Sequence, residues 1–432
     1  MQLKLTRKQI VRYMILAAIL GFLLLNIVND YQFRGFNMAI AMLSSLVLIY
    51  KSRLEVGSVA VFILLFFSLV RISPEYLFEI RTTGFTYFYN HHTYNIVITI
   101  LMTYLSILSV FYDTRKRGLN SEELRGDNNW IFLLLCVVSV AIIIFGINRQ
   151  VGLTYTVAIR TMYEYFMPIF LLAYYYSDKK VRSRGVLILL AVIYVIQDFY
   201  YGGRISSLQM GILVFILFFP WMPLRYMIVA SVLGYVLLRA VGIYRETYSL
   251  LAINWSNLLG GVLFDAEGNY IINTFSEVLY SSSGLVFSRL YHFEPSVMTL
   301  SFIAFIRRVF TGEDLLLGNI VAYISLYVSP VGGGGFFPAY FFFWLGWGGV
   351  LFSAWVTVLL FNHTPSLTSR VYQQMTYILM LVMFPRWFYY TPLILFRLVL
   401  VNFAILYSGL WFFDQLLKRT RVGKTGAPSL TS

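Results

Sequence analysis

Cysteine and charged residues are both scarce in this chain of 432 residues. The one cysteine, Cys136, lies inside an apolar run, so the chain can form neither an internal disulfide nor a Cys/His metal cluster. Charged residues make up 12% of the sequence, against about 25% in soluble domains, and 59% of the residues are hydrophobic. This composition excludes an ordinary soluble enzyme.

Motifs for nucleotide and metal chemistry are absent as well. The sequence has no G-x-x-x-x-G-K-[ST] and no G-x-S-x-G, which excludes a P-loop ATPase and gives no sign of a serine nucleophile elbow. It has no D-x-D, and no carboxylate follows the adjacent His91 and His92 at ligand spacing, so we interpret both histidines as structural. Any chemistry at a phosphate would therefore depend on arginine for charge neutralisation.

Long apolar runs dominate the sequence. Stretches such as "WIFLLLCVVSVAIIIFGI" last roughly 15 to 24 residues, the length that crosses a ~30 Å hydrocarbon core as a helix. We predict an all-α polytopic integral membrane protein in which residues 1–432 form one membrane domain and the first run is an uncleaved helix. The twelve predicted spans are 10–28, 36–50, 55–70, 94–112, 130–147, 160–177, 186–200, 206–223, 226–241, 338–361, 371–385 and 391–413.

The lysines predict the orientation of these spans. If the N-terminus is cytoplasmic, as its excess of positive charge indicates, all eight lysines fall on the cytoplasmic side. That side then carries a net charge of +13 and the outer side +1, so the overall +14 reflects topology, not nucleic-acid binding. We predict a protein of the cell inner membrane with both termini in the cytoplasm.

The predicted outer side has no lysine but thirteen arginines. Arginine stays charged and presents a planar fork of five donors that matches a phosphate group, whereas orientation alone does not require it. Two of the thirteen, Arg386 and Arg397, flank and enter the last span, and Arg397 lies deep enough to need a partner. This bias toward arginine favours an anion site on the outer side.

One long connection, residues 242–337, interrupts the series of spans. It is too rich in aromatic and aliphatic residues for a disordered linker, yet its apolar stretches are too short or too interrupted to cross a membrane. We predict a periplasmic segment with helices that lie at the interface or re-enter the bilayer. Residues 423–432 are predicted to form a disordered tail.

The stretch "YYGGRISSLQMG", residues 200–211, places an arginine at the predicted outer start of a span. Gly202 and Gly203 would leave backbone amides accessible at a helix N-terminus, and Arg204 would add its guanidinium fork. An interfacial arginine on an ordinary turn is the alternative interpretation. We favour an anion site at Arg204.

Four further arginines are candidates for the site, Arg160 for catalysis and the other three for substrate binding. Arg149 and Arg160 flank the loop between the fifth and sixth spans, although Arg160 has an alternative partner in Glu164 one turn on. Arg239 and Arg245 bracket the start of the long segment, where a neighbouring acid offers the same alternative of a structural ion pair.

A last group of candidates surrounds "FSRLYHFEPS", residues 287–296. Three residues apart on a helix, Arg289 and His292 would share a face. Arg289 is predicted to contact an anion, and His292 is a candidate general base, with a purely structural role as the alternative. Glu277 and Glu294 are further candidates for the base, and Glu277 also for substrate binding.

These residues resemble those of Wzy-type O-antigen or oligosaccharide repeat-unit polymerases. The similarity lies in "GGRISSL", in "FSRLYHFEPS", in the loop "NRQVGLTYTVAIR", and in "GGGGFFPAYFFFWLGWGG", which resembles a glycine- and aromatic-rich return to a late span. About a dozen spans, cytoplasmic ends and a long periplasmic segment in the second half are similar to the family architecture.

The resemblance implies an inverting glycosyl transfer at the periplasmic face. A growing glycan would leave undecaprenyl pyrophosphate and join a new lipid-linked repeat, without nucleotide sugar, ATP, metal or other cofactor. Arg204, Arg160 and Arg289 would form a pyrophosphate clamp, and His292 or an acid would act as base. The implied partners are the lipid-linked oligosaccharides, membrane lipids and a Wzz-type chain-length regulator, with no nucleic acid.

Three other functions remain open at this point. An O-antigen ligase would use the same donor and the same arginines. A lipid-linked oligosaccharide flippase would need charges lining both halves of the bundle and usually internal repeats, which the sequence does not show. A polyprenyl-phosphate-sugar glycosyltransferase would need acids in a long first outer loop, which here is only "NDYQFRG".

Overall fold

The fold is a bundle of helices. The computed structural model describes residues 6–78, 91–113, 124–126, 128–147, 161–201, 203–247, 253, 270–313, 315–328, 334–363 and 370–425. Helices make up 86% of the structure, and the described ranges contain no β-strand.

The described ranges contain sixteen α-helices, numbered in chain order. They are α1 (Arg7–Val28), α2 (Arg34–Ser52), α3 (Val56–Leu77), α4 (His91–Phe111), α5 (Asn129–Phe145), α6 (Phe166–Tyr176), α7 (Val181–Tyr200), α8 (Ile205–Phe218), α9 (Leu224–Thr247), α10 (Tyr270–Tyr291), α11 (Pro295–Thr311), α12 (Ile320–Ile324), α13 (Phe337–His363), α14 (Arg370–Val382), α15 (Phe384–Tyr389) and α16 (Phe403–Thr425). A 3-10 helix, Thr161–Tyr165, leads into α6, another, Leu316–Gly318, precedes α12, and a π-helix, Ile394–Asn402, leads into α16.

Eight helices of the described chain are long and apolar enough to cross a membrane. They are α1, α2, α3, α4, α7, α9, α13 and the π-helix continued by α16. The predicted class of helical membrane protein is thereby confirmed. The four other predicted spans coincide with the shorter helices α5, α6, α8 and α14, so the count of twelve is not confirmed and stays a prediction.

Helix α4 lies at the centre of the bundle. In its most apolar 18-residue window, 89% of the residues are buried, and α1, α2, α10 and α13 all pack against it. Buried polar groups join the first of these helices, because Asn37 donates hydrogen bonds to Asn26 Oδ1 at 2.7 Å and to Thr99 Oγ1 at 2.9 Å. Hydrogen bonds between helices stabilise packing where no water competes.

The long predicted outer segment contributes helices to this core. α10 packs against α3, α4, α9 and α13, and its Ser281, Leu285 and Val286 are fully buried. The stretches predicted to be interfacial form α11 and the short α12, and α11 packs against α13. The first three residues of the predicted tail continue α16 to Thr425, and the rest of the tail lies outside the described residues.

Helix α13 is interrupted at Gly346. Its backbone there has φ 64° and ψ −146°, a conformation that is essentially restricted to glycine. A Cβ on Gly346 would lie 2.9 Å from Nη2 of Arg289, so the guanidinium occupies the space that a side chain would need. Gly348 is different, because a Cβ there meets no atom within 4 Å.

Two glycine substitutions in α13 should therefore have different effects on stability. Gly346→Ala should lower the free energy of unfolding by about 1–3 kcal/mol, because alanine is strained in that backbone conformation. Gly348→Ala should leave it unchanged or raise it by up to ~1 kcal/mol, because alanine favours a helix over glycine. Thermal unfolding of the detergent-purified protein measures both, and equal effects would contradict the assignment of the break.

Candidate functional site

The turn between α7 and α8 contains a buried carboxylate. Asp198 is 0% exposed, and its Oδ2 accepts hydrogen bonds from the backbone amide of Ser207 at 2.9 Å and from the Ser207 hydroxyl at 2.7 Å. The amide of Gly203 donates to the Asp198 carbonyl at 2.7 Å, which tightens the turn. Asp198 thus satisfies an amide in the first turn of α8, where helical amides lack intrahelical partners.

Arg204 lies at the N-cap position of α8 and is half-buried. The sequence predicts that the amides at this helix start are accessible to an anion. The Ser207 amide is not, because the Asp198 carboxylate already accepts from it. Arg204 therefore remains the main candidate for binding an anion at this turn, and that role stays a prediction.

A half-buried ion pair lies beside this turn. Arg386 in α15 and Glu164 in the 3-10 helix approach to 3.2 Å, with side chains that are 17% and 18% exposed. Arg386 also acts electrostatically on Asp198, so two carboxylates and a guanidinium gather near the 3-10 helix, the end of α7 and α15. We call Glu164, Asp198 and Arg386 the Arg386 cluster. Such a group can hold an anion at the guanidinium or a proton at a carboxylate.

A second group of arginines lies within the helices. Arg239 in α9 is 4% exposed, and Arg71 in α3 is 7% exposed. Arg71 donates a hydrogen bond to the Tyr235 hydroxyl at 2.6 Å, and its Cζ lies 4.9 Å from the ring centroid of Phe67. Arg239 was among the predicted site residues and Arg71 was not, although an arginine inside "VFILLFFSLVRISPEYL" is an available signal.

Arg289 contacts the interruption in α13. One of its terminal nitrogens donates to the carbonyl oxygen of Phe343 at 2.6 Å and lies 3.1 Å from the sulfur of Met298. Its Cζ lies 5.5 Å from the ring centroid of Phe342. Burial lowers the pKa of the Arg289 guanidinium. Arg289 therefore satisfies a carbonyl group at the end of the first half of α13. Its role in a pyrophosphate clamp stays a prediction.

His292 follows the last residue of α10 and is exposed, and its ring centroid lies 5.1 Å from that of Phe287. Arg289, three residues earlier, is half-buried and donates to a carbonyl of α13. The two side chains therefore have different surroundings, and a joint role for them stays a prediction. Glu277 is exposed on α10, and Glu294 is the exposed N-cap residue of α11.

Several predicted residues lie beyond these clusters. Arg149 and Arg160, and the side chain of Arg245, are outside the described residues. Arg397, which the sequence predicts to need a partner, lies against Gly312, and its guanidinium occupies the space that a Cβ there would need. Among the residues that the structure places, no three His, Cys, Asp or Glu side chains form a group that would hold a metal ion.

Comparison with known proteins adds no assignment. Neither the scan against protein-family models nor the searches of curated proteins and solved structures found a match for the chain.

The Asp198–Ser207 contact should contribute measurably to stability. Ser207→Ala removes one of the two donors to a buried carboxylate, and hydrogen bonds to charged groups contribute about 1.5–3 kcal/mol. We expect a loss of that size in the free energy of unfolding. Ser206→Ala is the matched control, because Ser206 is the neighbouring residue and is also buried. Equal losses in the two variants, measured by thermal unfolding in detergent, would contradict the capping role of Asp198.

Proposed function

We propose that this protein is a membrane glycosyltransferase that joins undecaprenyl-pyrophosphate-linked repeat units into an O-antigen-type polysaccharide. The proposal places twelve helical passes in the inner membrane, both termini in the cytoplasm, and the reaction at the periplasmic face. One observation carries it: arginines are buried or half-buried at the predicted outer end of an apolar bundle. Charged side chains in such surroundings are costly and usually functional.

The chemistry needs a positive site for the leaving group. When the glycan leaves its lipid, negative charge develops on the pyrophosphate, and guanidinium groups that are already in position stabilise that charge. Arg204 at the start of α8 and Arg386 in the adjacent cluster are the candidates for this task. Planar forks bind phosphate oxygens in pairs, so lysine would be a poor replacement.

The attacking sugar hydroxyl needs a base. His292 and Glu277, predicted from the sequence, are both exposed and so accessible to a substrate. Glu164 is an additional candidate, because it lies in the Arg386 cluster and keeps part of its surface exposed. If Glu164 is the base, Glu164→Gln should abolish activity, because an amide cannot accept the proton. If it has only a structural role, the same change should leave activity in place.

A flippase for lipid-linked oligosaccharides is the second candidate. The burial of Arg71 and Arg239 inside α3 and α9 favours it, because a transport path needs charge within the bundle. A ligase would differ from the polymerase only in its acceptor.

The surface polysaccharide of a strain that lacks the protein tests the proposal. We expect glycan core with a single repeat and no ladder, visible on a gel. Lipid-linked polymer without transfer to the core would instead identify a ligase. Single lipid-linked repeats held on the cytoplasmic side would identify a flippase.

Complementation of that strain tests the role of Arg204. Wild type should restore the ladder, while Arg204→Ala should leave single repeats and Arg204→Lys should restore little, because the fork is lost. Arg307→Ala is the matched control, since Arg307 is an exposed arginine whose guanidinium lies 2.7 Å from Glu313. A normal ladder with Arg204→Lys, at equal protein level, would contradict bidentate binding by this residue.

A further inference from the structure

Two buried arginines lie where α3 packs against α9, because Arg71 donates a hydrogen bond to Tyr235, which precedes Arg239 by one turn of α9. Arg71 and Arg239 are each more than nine-tenths buried, and the charge of Arg239 acts directly on Arg71. Like charges in apolar surroundings repel each other strongly because little solvent screens them.

Aromatic rings form the floor of this site. The Cζ of Arg71 lies 4.9 Å from the ring centroid of Phe67 and 5.1 Å from that of Tyr235. The ring centroids of Phe67 and of Phe275 in α10 are 6.1 Å apart. Phe275 in turn lies 5.4 Å from Tyr389 of α15. Rings can stabilise a cation through their faces, but they carry no negative charge to neutralise it.

The polar groups around Arg71 leave it short of acceptors. Within the described ranges, the titratable groups whose charge acts on Arg71 are Tyr235 and Arg239, and neither is a carboxylate. Glu75, one turn further along α3, acts instead on Tyr76 and Tyr94. The Nε of Arg71 is buried and has no hydrogen-bond partner among the described residues. A buried donor in this state is costly unless a ligand accepts from it.

We propose that Arg71 and Arg239 form a second anion site, which binds the diphosphate of one of two lipid-linked substrates. A diphosphate between the two guanidinium groups offsets their repulsion and accepts from the unpartnered Nε. The aromatic floor suits the apolar chain attached to that diphosphate. This inference rests on the proposed function, in which donor and acceptor each carry a lipid diphosphate, so that two sites are needed.

The second site is adjacent to the first through α15. Tyr389 of that helix donates a hydrogen bond to Ser68 Oγ at 3.1 Å, on the Arg71 side. Arg386, one turn earlier in the same helix, pairs with Glu164 in the Arg386 cluster. The six-residue helix α15 therefore contacts both the Arg386 cluster and the Arg71 site. Lipid diphosphates bound at the two sites would lie next to each other.

Titration of the purified full-length protein with inorganic pyrophosphate tests the second site. Isothermal calorimetry should give two pyrophosphates per wild-type chain and one per chain for Arg71→Met and Arg239→Met. Tyr235→Phe, which keeps the ring and removes the hydroxyl that orients Arg71, should weaken the second site about tenfold or less. Arg307→Met, at an exposed arginine, should still bind two. Two equivalents in Arg71→Met, or fewer than two in wild type, would overturn the proposal.

Thermal unfolding separates a binding role from a structural one. Without ligand, Arg71→Met should be at least as stable as wild type, because one of two buried like charges is gone, and pyrophosphate should stabilise it less than wild type. Lower stability without ligand together with an unchanged pyrophosphate effect would assign Arg71 a structural role. If Arg71→Met does not fold, Arg71→Lys keeps the charge, and unchanged two-site binding in that variant would overturn the proposal.

Two further measurements fix the source of the anion and the link to function. In nanodiscs, phosphatidylglycerol should not displace the second pyrophosphate when compared with phosphatidylcholine; displacement would assign the site to bulk lipid headgroups. The polysaccharide ladder reports on the proposed function separately. A strain that keeps its ladder without the protein would refute the polymerase, whereas a stoichiometry of one pyrophosphate per wild-type chain would refute only the second site.

Discussion

A guanidinium group keeps its positive charge even inside an apolar bundle, and this constraint shapes the structure around every buried arginine. Each arginine meets it in a different way. Arg289 donates to a carbonyl that becomes available where α13 is interrupted, and Arg386 pairs with a carboxylate. Arg71 has only a hydroxyl and aromatic faces in the described structure. No carboxylate of the described residues acts on Arg71, so this arginine gains from a bound anion, and Arg71 and Arg239 therefore form a candidate anion site.

The helical class was predictable because one local property decides it. A run of some twenty apolar residues forms a helix in a membrane whatever lies beside it, since every backbone group must be satisfied within the segment. The irregular parts depend on neighbours instead. The break at Gly346 exists where the Arg289 guanidinium occupies the Cβ position, and "LGWGG" offers three glycines with nothing local to choose among them. The same limit applies to the π-helix that begins at Ile394, because its apolar sequence is equally suited to an α-helix.

The candidate site was predictable in its residue types but not in its pairings. A bias toward arginine on one side singled out Arg204, Arg239 and Arg289 before any contact was known. Which acid lies beside which arginine depends on how distant helices pack. The spacing in the sequence offers Glu164 as a partner for Arg160, four residues away. In the structure Glu164 pairs with Arg386, which comes from the other end of the chain. Asp198 carries no sequence signal for its capping role, because the fold of the turn, and not the spacing, brings it to the Ser207 amide.

The interruption of α13 links the long segment to the turn between α1 and α2. Trp347 follows Gly346 directly, and its indole donates to the Tyr31 hydroxyl at 3.3 Å while the two rings stack at 22°. Tyr31 and Asp30 both have positive φ angles, which non-glycine residues adopt only when their surroundings hold them there. Through Arg289 at the end of α10 and Trp347 in α13, the long segment is therefore fixed against the turn between α1 and α2. Since α10 also packs on α3 and α9, the same connection extends to the two helices that carry Arg71 and Arg239. Guanidinium groups that helix packing already holds in place would bind a diphosphate with little reorganisation.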